Sequence, residues 1–288
     1  MAAKDCKVIA VLNMKGGVGK TTISAHVMRV LYHQQKNKTL LIDLDPQFNL
    51  SQCLLSRKEY DELKKKNATV FQAFEPPSDV SLFEVAKSKL PPPKPASIAK
   101  QLRSFKFYKA RLDLVPGDFR LVKYSLIDDK NKLEHARKRF LQFIELAKAD
   151  YDLLVIDCNP SSSFITLCAL TACTHLLVPV RPDKYSMLGL EMLADFVEGL
   201  PDLHPKPEMA VLLNGIPTTK YDPEVENALR AHKKFGPLIL ANKLKESKLL
   251  VASEGYTGFA TDKPVSYKDL LRTHIASITS ELATRWDI

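Results

Sequence analysis

Lys15-Gly16-Gly17-Val18-Gly19-Lys20-Thr21-Thr22 combines the side chains and the backbone freedom needed to hold a polyphosphate. Glycines let successive backbone N–H groups converge on an anion, and a helix starting behind them turns its positive end toward it. Lys20 can neutralise β- and γ-phosphate oxygens, Thr21 can offer its hydroxyl to Mg²⁺, and Thr22 stands near the α-phosphate. The run departs from the usual G-x-x-x-x-G-K-[ST] loop, because Met14 stands where the first glycine belongs. It also carries a second cation, Lys15, five residues ahead of Lys20. A glycine-rich turn without a ligand is the competing reading, but a bare turn has no use for Gly-Lys-Thr-Thr in that place. The chemistry implied is a nucleotide-driven switch using ATP and Mg²⁺.

The loop follows the apolar run Val8-Ile9-Ala10-Val11-Leu12, so a strand delivers it and a helix leaves it. Short β-rich runs alternate with helical stretches along nearly the whole length. That is the pattern of an α/β fold, a doubly wound, mostly parallel sheet with helices on both faces. Strands are predicted at 7–13, 39–43, 112–116, 152–157, 175–180 and 209–214, each placing a motif at its C-terminal end, where open α/β sheets bind ligands. Helices are predicted at 21–35, 131–149, 161–172, 186–199, 223–235 and 267–286. The last puts Leu271, Ile275, Ile278, Leu282 and Trp286 on one stripe. Residues 1–288 read as one domain with an insertion at about 57–110, where Lys64-Lys65-Lys66, Pro76-Pro77 and Pro91-Pro92-Pro93-Lys94-Pro95 break the periodicity. Proline favours extended backbone there, which suits a partner-binding arm and a plain solvated connection equally.

The 288 residues are 45% apolar, enough to bury one large core. No run of about eighteen apolar residues occurs, and the first apolar segment leads into the loop instead of a cleavage site, so neither a membrane span nor a secretion signal is expected. Five cysteines without a C-x-x-C suit reduced thiols in the cytoplasm, and Cys168 and Cys173 read as core filler.

Two further motifs stand in order behind the loop: Leu40-Leu41-Ile42-Asp43-Leu44-Asp45-Pro46-Gln47 and Leu154-Val155-Ile156-Asp157-Cys158-Asn159-Pro160-Ser161. Together the three resemble the ParA/MinD family of deviant Walker A ATPases, and the Asp-x-Asp-Pro-Gln form looks most like the ParA branch. Further matches are Leu114-Val115-Pro116-Gly117, Val178-Pro179-Val180 ahead of Tyr185-Ser186-Met187-Leu188-Gly189-Leu190, and Val211-Leu212-Leu213-Asn214; residues 55–110 match least. The resemblance implies a nucleotide site of Gly16, Gly17, Val18, Gly19, Lys20, Thr21 and Thr22, with Asn214 near the purine; a lone asparagine is otherwise a turn former. Asp45 is implied to orient the attacking water. Asp43, earlier on the strand, is expected to face away from Asp45 and to help hold the loop and the Mg²⁺ shell. Asp157 closes an apolar strand as a Walker B carboxylate does, reaching Mg²⁺ through water, and a cap on the helix starting at Ser161 to Ser163 is compatible with that role. Asn159 stands where the family usually has proline, which leaves the stiffness of that segment open. Lys15 is implied to cross a dimer interface to the partner subunit's nucleotide, like an arginine finger, a device worth about 10³ to 10⁵ in rate.

Forty-two Lys and Arg against 33 Asp and Glu give a net charge of +9, which favours polyanion contact. Lys243, Lys245 and Lys248 follow a short strand expected at 238–240, with Arg230, Lys233 and Lys234 on the helix before it. The family carries DNA-binding residues in this region, so Lys243, Lys245, Lys248 and Arg230 are implied to grip nucleoid DNA without sequence preference; a solvated basic face is the alternative. About four phosphate contacts would give a log–log salt slope of about −3.6. The implied activity is a weak ATPase that dimerises on ATP, positions DNA or protein cargo, and is released by a ParB-like or other cargo adaptor. A MinD-like membrane switch is disfavoured because residues 280–288 set acids beside a single arginine. A metabolic P-loop enzyme would need no Lys15. No cysteine lies between Leu54 and Asp157, so no Fe–S cluster is expected.

Overall fold

Val8, Ala10 and Leu12 pack into one buried layer while Ile9 and Val11 pack into another. A strand apolar at every position must be covered on both faces, and this one lies at the centre of such a sheet. The structure, a computed structural model, describes residues 6–78, 81, 83–161, 163–201, 203–251 and 256–288. Its strands are β1 (Lys7–Val11), β2 (Lys38–Asp43), β3 (Lys100–Phe105), β4 (Ala110–Val115), β5 (Leu153–Asp157), β6 (His175–Val180), β7 (Glu208–Ile216) and β8 (Leu244–Lys245). They form one sheet in the order β3-β4-β2-β5-β1-β6-β7-β8, parallel throughout except for the antiparallel pair β3 and β4. The fold is the α/β, doubly wound arrangement that the alternating pattern predicts.

Because β5 lies between β1 and β2, Asp157 pairs in register with Asp43 on one side and Val11 on the other. The loop after β1 and the acidic ends of β2 and β5 thus open at the same end of the sheet. The helix behind the loop runs through Lys20–Thr22, a π-helical turn at Ile23–Val27 and Met28–Gln35. Lys268–Trp286 buries the predicted stripe of Leu271, Ile275, Ile278, Leu282 and Trp286 in the layer that contains Ile9 and Val11. Lys130–Asp150, Phe164–Ala172 and Ser186–Glu198 cover the other face. No described helix is long and apolar enough to cross a membrane.

Several elements differ from expectation. Residues 57–110 are not irregular throughout: Ser56 and Glu59 form a reciprocal capping box that starts the helix Arg57–Lys65, and Lys64 and Lys65 sit in its last turn, where cations suit the helix dipole. Phe71–Phe74 is fully buried, and β3 closes the sheet edge. The helix predicted at 223–235 is shorter, Glu224–Ala231. The strand expected at 238–240 is replaced by the 3₁₀ turn Gly236–Leu238 and a single bridge from Ile239 to Val211. Pro237 has no N–H to give to a ladder. The helix predicted from 161 starts at Phe164, capped by Ser163, whose hydroxyl accepts from Thr166 N at 3.4 Å; Ser162 lies outside the described residues.

Candidate functional site

Gly19 precedes the first helical turn in the left-handed region, at φ +92°. A β-carbon there would lie 2.1 Å from Asn214 Nδ2, so only glycine fits, whereas at Gly16 and Gly17 it would meet nothing within 4 Å. The loop is therefore tight on its β7 side and open on the other. Asn214 Nδ2 donates to the Val18 carbonyl at 2.7 Å and ties the loop to β7. Asn13 holds its start, accepting from Lys15 N at 2.9 Å and donating to the Pro179 carbonyl at 2.8 Å. Lys20 Nζ donates to the carbonyls of Asn13 and Lys15, 3.1 Å from each. Burial pulls the Lys20 ammonium below its ordinary pKa, against the opposing pull of Asp157, Cys158 and Asp45.

Asp157 is fully buried and accepts from Thr21 Oγ1 at 2.9 Å and Ser24 Oγ at 2.7 Å. Asp43, equally buried, accepts from Ser51 N at 2.8 Å and Ser51 Oγ at 2.7 Å through one oxygen, and from Asp45 N at 3.2 Å through the other. Burial pushes both carboxyls above the usual range, Asp157 adding to the rise at Asp43 and Asp45 to that at Asp157. Gly117 is needed beside them: a β-carbon there would come within 2.8 Å of the Asp43 carboxyl carbon, and its N–H donates to Ser51 Oγ at 2.8 Å. Asp43, expected as a Mg²⁺ ligand, thus has its oxygens engaged by Ser51 and the Asp45 amide; it anchors the turn and does not line the cavity.

Asp45 lies just past the end of β2 and lines a cavity of about 810 Å³ with Gly16, Gly17, Gly19, Lys20, Thr21 and Thr22. One of its oxygens accepts from Gln47 N at 2.9 Å and the other from Asn49 Nδ2 at 3.4 Å. Asn159 lines the same cavity and accepts from Thr166 Oγ1 at 3.0 Å. The hard oxygens of Thr21 and Asp157 fit Mg²⁺, which takes one or two protein oxygens and completes its octahedron with phosphate and water. Among the described residues no cluster of three His, Cys, Asp or Glu could hold a metal by itself. The donor set therefore suits a cation that arrives with a nucleotide.

Lys15 does not line that cavity. Its ammonium pairs with Asp183, whose carboxylate also accepts from Tyr185 N at 2.9 Å and Ser186 Oγ at 3.2 Å. Burial acts to raise the Asp183 pKa, but Lys15 and the two neighbouring donors outweigh it and hold the carboxyl below its ordinary value. The basic patch is also rearranged. Glu226 accepts from Arg230 at 2.8 Å, Lys243 at 2.6 Å and the Tyr221 hydroxyl at 2.8 Å, so two of the four cations expected on DNA are paired inside the fold. Lys245 and Lys248 are exposed and form no ion pair among the described residues.

Sequence reasoning missed Asp183, Ser24 and Ser51. Ser24 follows Thr21 by three residues and shares its helix face, a signal that was present. Asp183 lies between two quoted matches but has no apolar or glycine signature, and Ser51 meets Asp43 only because the chain turns back at Asp45-Pro46.

Residues 6–209 match a family model described as an AAA domain. The chain is 31% identical over 209 residues to a ParA family protein of Chlamydia muridarum, covering 72% of this chain and 71% of that relative. It is also 31% identical over 206 residues to an uncharacterized protein of Methanocaldococcus jannaschii, covering 71% and 70%. Among solved structures, pNOB8 ParA superposes with a TM-score of 0.69 at 18% identity, over 98% of this chain and 99% of that one. Cobyrinic acid a,c-diamide synthase from Mycobacterium smegmatis, solved with an ATP analogue and magnesium, gives 0.68 at 20% identity over 98% and 95%. These distant likenesses show a shared fold. The sequence matches over the P-loop and both acidic motifs go further: the chain belongs to the ParA family of P-loop ATPases.

Proposed function

We propose that this chain is an ATPase of low basal turnover that closes into a homodimer on ATP and Mg²⁺, holds DNA without sequence preference, and positions DNA or protein cargo. The observation that carries this reading is the division of labour between two lysines of one loop. Lys20 sits on the cavity, hydrogen-bonded to the loop carbonyls, while Lys15 stands on the outer shoulder in an ion pair with Asp183. A cation beside its own cavity but not lining it is available to a neighbouring molecule. Bound Mg²⁺ would supply charge neutralisation on phosphate oxygens, with Thr21 and Asp157 on its protein side. Lys20 and the loop N–H groups bind the phosphates, Asp45 orients a water on the γ side, and Lys15 leaves Asp183 to reach the partner subunit's site.

Lys245 and Lys248 are the cations we assign to DNA, at a cytoplasmic, nucleoid-associated location, and a ParB-like or other cargo adaptor is the expected stimulator. The fold likeness to pNOB8 ParA bound to nonspecific DNA, at a TM-score of 0.67, is compatible with this. The equally close likeness to a diamide synthase keeps a metabolic reading in view. Light scattering with a non-hydrolysable ATP analogue and Mg²⁺ tests the proposal. Wild type should dimerise, and Lys15→Ala should bind the analogue yet remain monomeric. A wild type that stays monomeric when saturated refutes the dimer, and co-sedimentation with DNA and with anionic vesicles separates the DNA-bound switch from a MinD-like membrane one.

A further inference from the structure

Away from the nucleotide cavity, residues 84–94 cross the outer face of the helix Lys130–Asp150 as a strap and leave a groove of about 1130 Å³ beneath it. The strap is fastened at three points. Ala86 N donates to Glu75 Oε2 at 2.8 Å, and Glu75 is itself buried against Lys123 and Tyr124, at 3.0 and 2.8 Å. Arg139 reaches across from the helix to the Leu90 carbonyl at 2.6 Å. Pro95 and Ile98 then bury the far end. Pro91, Pro92 and Pro93 have no N–H groups, so the strap cannot zip onto a neighbouring strand, and its separation from the helix is set by these anchors.

The groove has two chemical characters. Leu90, 74% exposed, and Leu146, 38% exposed, offer apolar surface that nothing in the described chain covers. Lys87, Lys89, Lys138 and Arg139 line the same groove against one carboxylate, Glu145, which is already paired with Lys148 at 2.7 Å. Lys87 and Lys89 form no ion pair among the described residues, and Lys138 has only a 3.9 Å contact with Glu134.

We propose that this groove docks an acidic, leucine-bearing peptide segment of a partner protein, its carboxylates on Lys87, Lys89 and Lys138 and its apolar side chains against Leu90 and Leu146. The charge excess selects an acidic partner. The apolar floor disfavours duplex DNA, which has no side chains to cover leucines. This assignment does not depend on the nucleotide reading.

The test uses the full chain and a fluorescein-labelled peptide of about 18 residues, five helical turns, with Glu and Leu on opposite faces. Its Lys/Leu counterpart is the control, and fluorescence anisotropy is the readout. The acidic peptide should bind, weaken with added salt, and lose affinity by about tenfold or more in Lys89→Glu/Lys138→Glu. Leu146→Ser should weaken it with little change in salt dependence. These positions are exposed, and thermal melting followed by circular dichroism checks that each variant is folded. Equal binding of the two peptides, indifference to the charge reversal, or displacement of the peptide by a short DNA duplex overturns the proposal; the last outcome makes the groove a nucleic-acid site.

Discussion

A methyl group on Gly19 would lie 2.1 Å from Asn214 Nδ2 while the backbone stands at φ +92°. A β-carbon in that left-handed region costs about 1–2 kcal/mol. Relief of the contact requires Asn214 to move off the Val18 carbonyl, which forfeits a hydrogen bond worth about 1 kcal/mol. Gly19→Ala is therefore expected to destabilise the fold by about 2–3 kcal/mol, and Asn214→Ala by about 1 kcal/mol. The Asn214 bond can be lost only once. The double variant should consequently sit about 2–3 kcal/mol below wild type, about 1 kcal/mol short of the additive sum. Urea unfolding of the four proteins, compared at a common slope, measures this coupling. Additivity within about 0.3 kcal/mol would refute the reasoning, because it would mean that Gly19 and the Asn214 tether are energetically independent.

Asp183→Asn should release Lys15 from a half-exposed ion pair worth about 0–1 kcal/mol and tighten the ATP-dependent dimer by up to about fivefold in sedimentation equilibrium; a weaker dimer would contradict the proposed role of Lys15. Burial holds His26 at a pKa of about 4 against an ordinary 6.5, and its Nδ1 accepts from Ala260 N at 3.2 Å, which requires the neutral ring. The unfolded chain takes up that proton first, so stability should fall by about 3 kcal/mol as pH drops from about 6.5 to 4. His26→Gln should remove this fall, read as the difference from wild type in urea midpoints, since the raised carboxyls Asp43 and Asp157 act in the opposite sense. Lys245→Glu/Lys248→Glu should reduce the log–log salt slope of DNA binding by about 2, whereas Lys243→Gln should leave it nearly unchanged because Lys243 already faces Glu226.

The elements legible from residue order are those whose signal is local. β1, β2 and β5 are apolar at nearly every position, and a helix after Gly-Lys-Thr-Thr follows from the loop itself. The stripe from Leu271 to Trp286 repeats at helical spacing and is buried as that spacing requires. β3 carries no such signal: Gln101, Arg103 and Ser104 are polar on an edge strand held by its ladder with β4. The helix Arg57–Lys65 is amphipathic and capped, but three consecutive lysines and the prolines downstream obscure it. At the site, Lys20, Thr21, Asp45 and Asp157 come together as their spacing behind parallel strands requires. Asp43 departs because its oxygens are met by Ser51, eight residues on, and Arg230 and Lys243 because Glu226 collects both. Partner choice of this kind is a tertiary event, and composition counts such cations as surplus.

β3 runs antiparallel to β4 at the border of the sheet, so the insertion is stitched into the backbone ladder. Excising it would bare a row of unpaired amides and carbonyls along β4, beside the buried Leu112 and Leu114. A shortened chain would then present a flat adhesive margin to its own copies and should precipitate before any question of nucleotide turnover arises. The segment least like the rest of the family thus also serves as a hem.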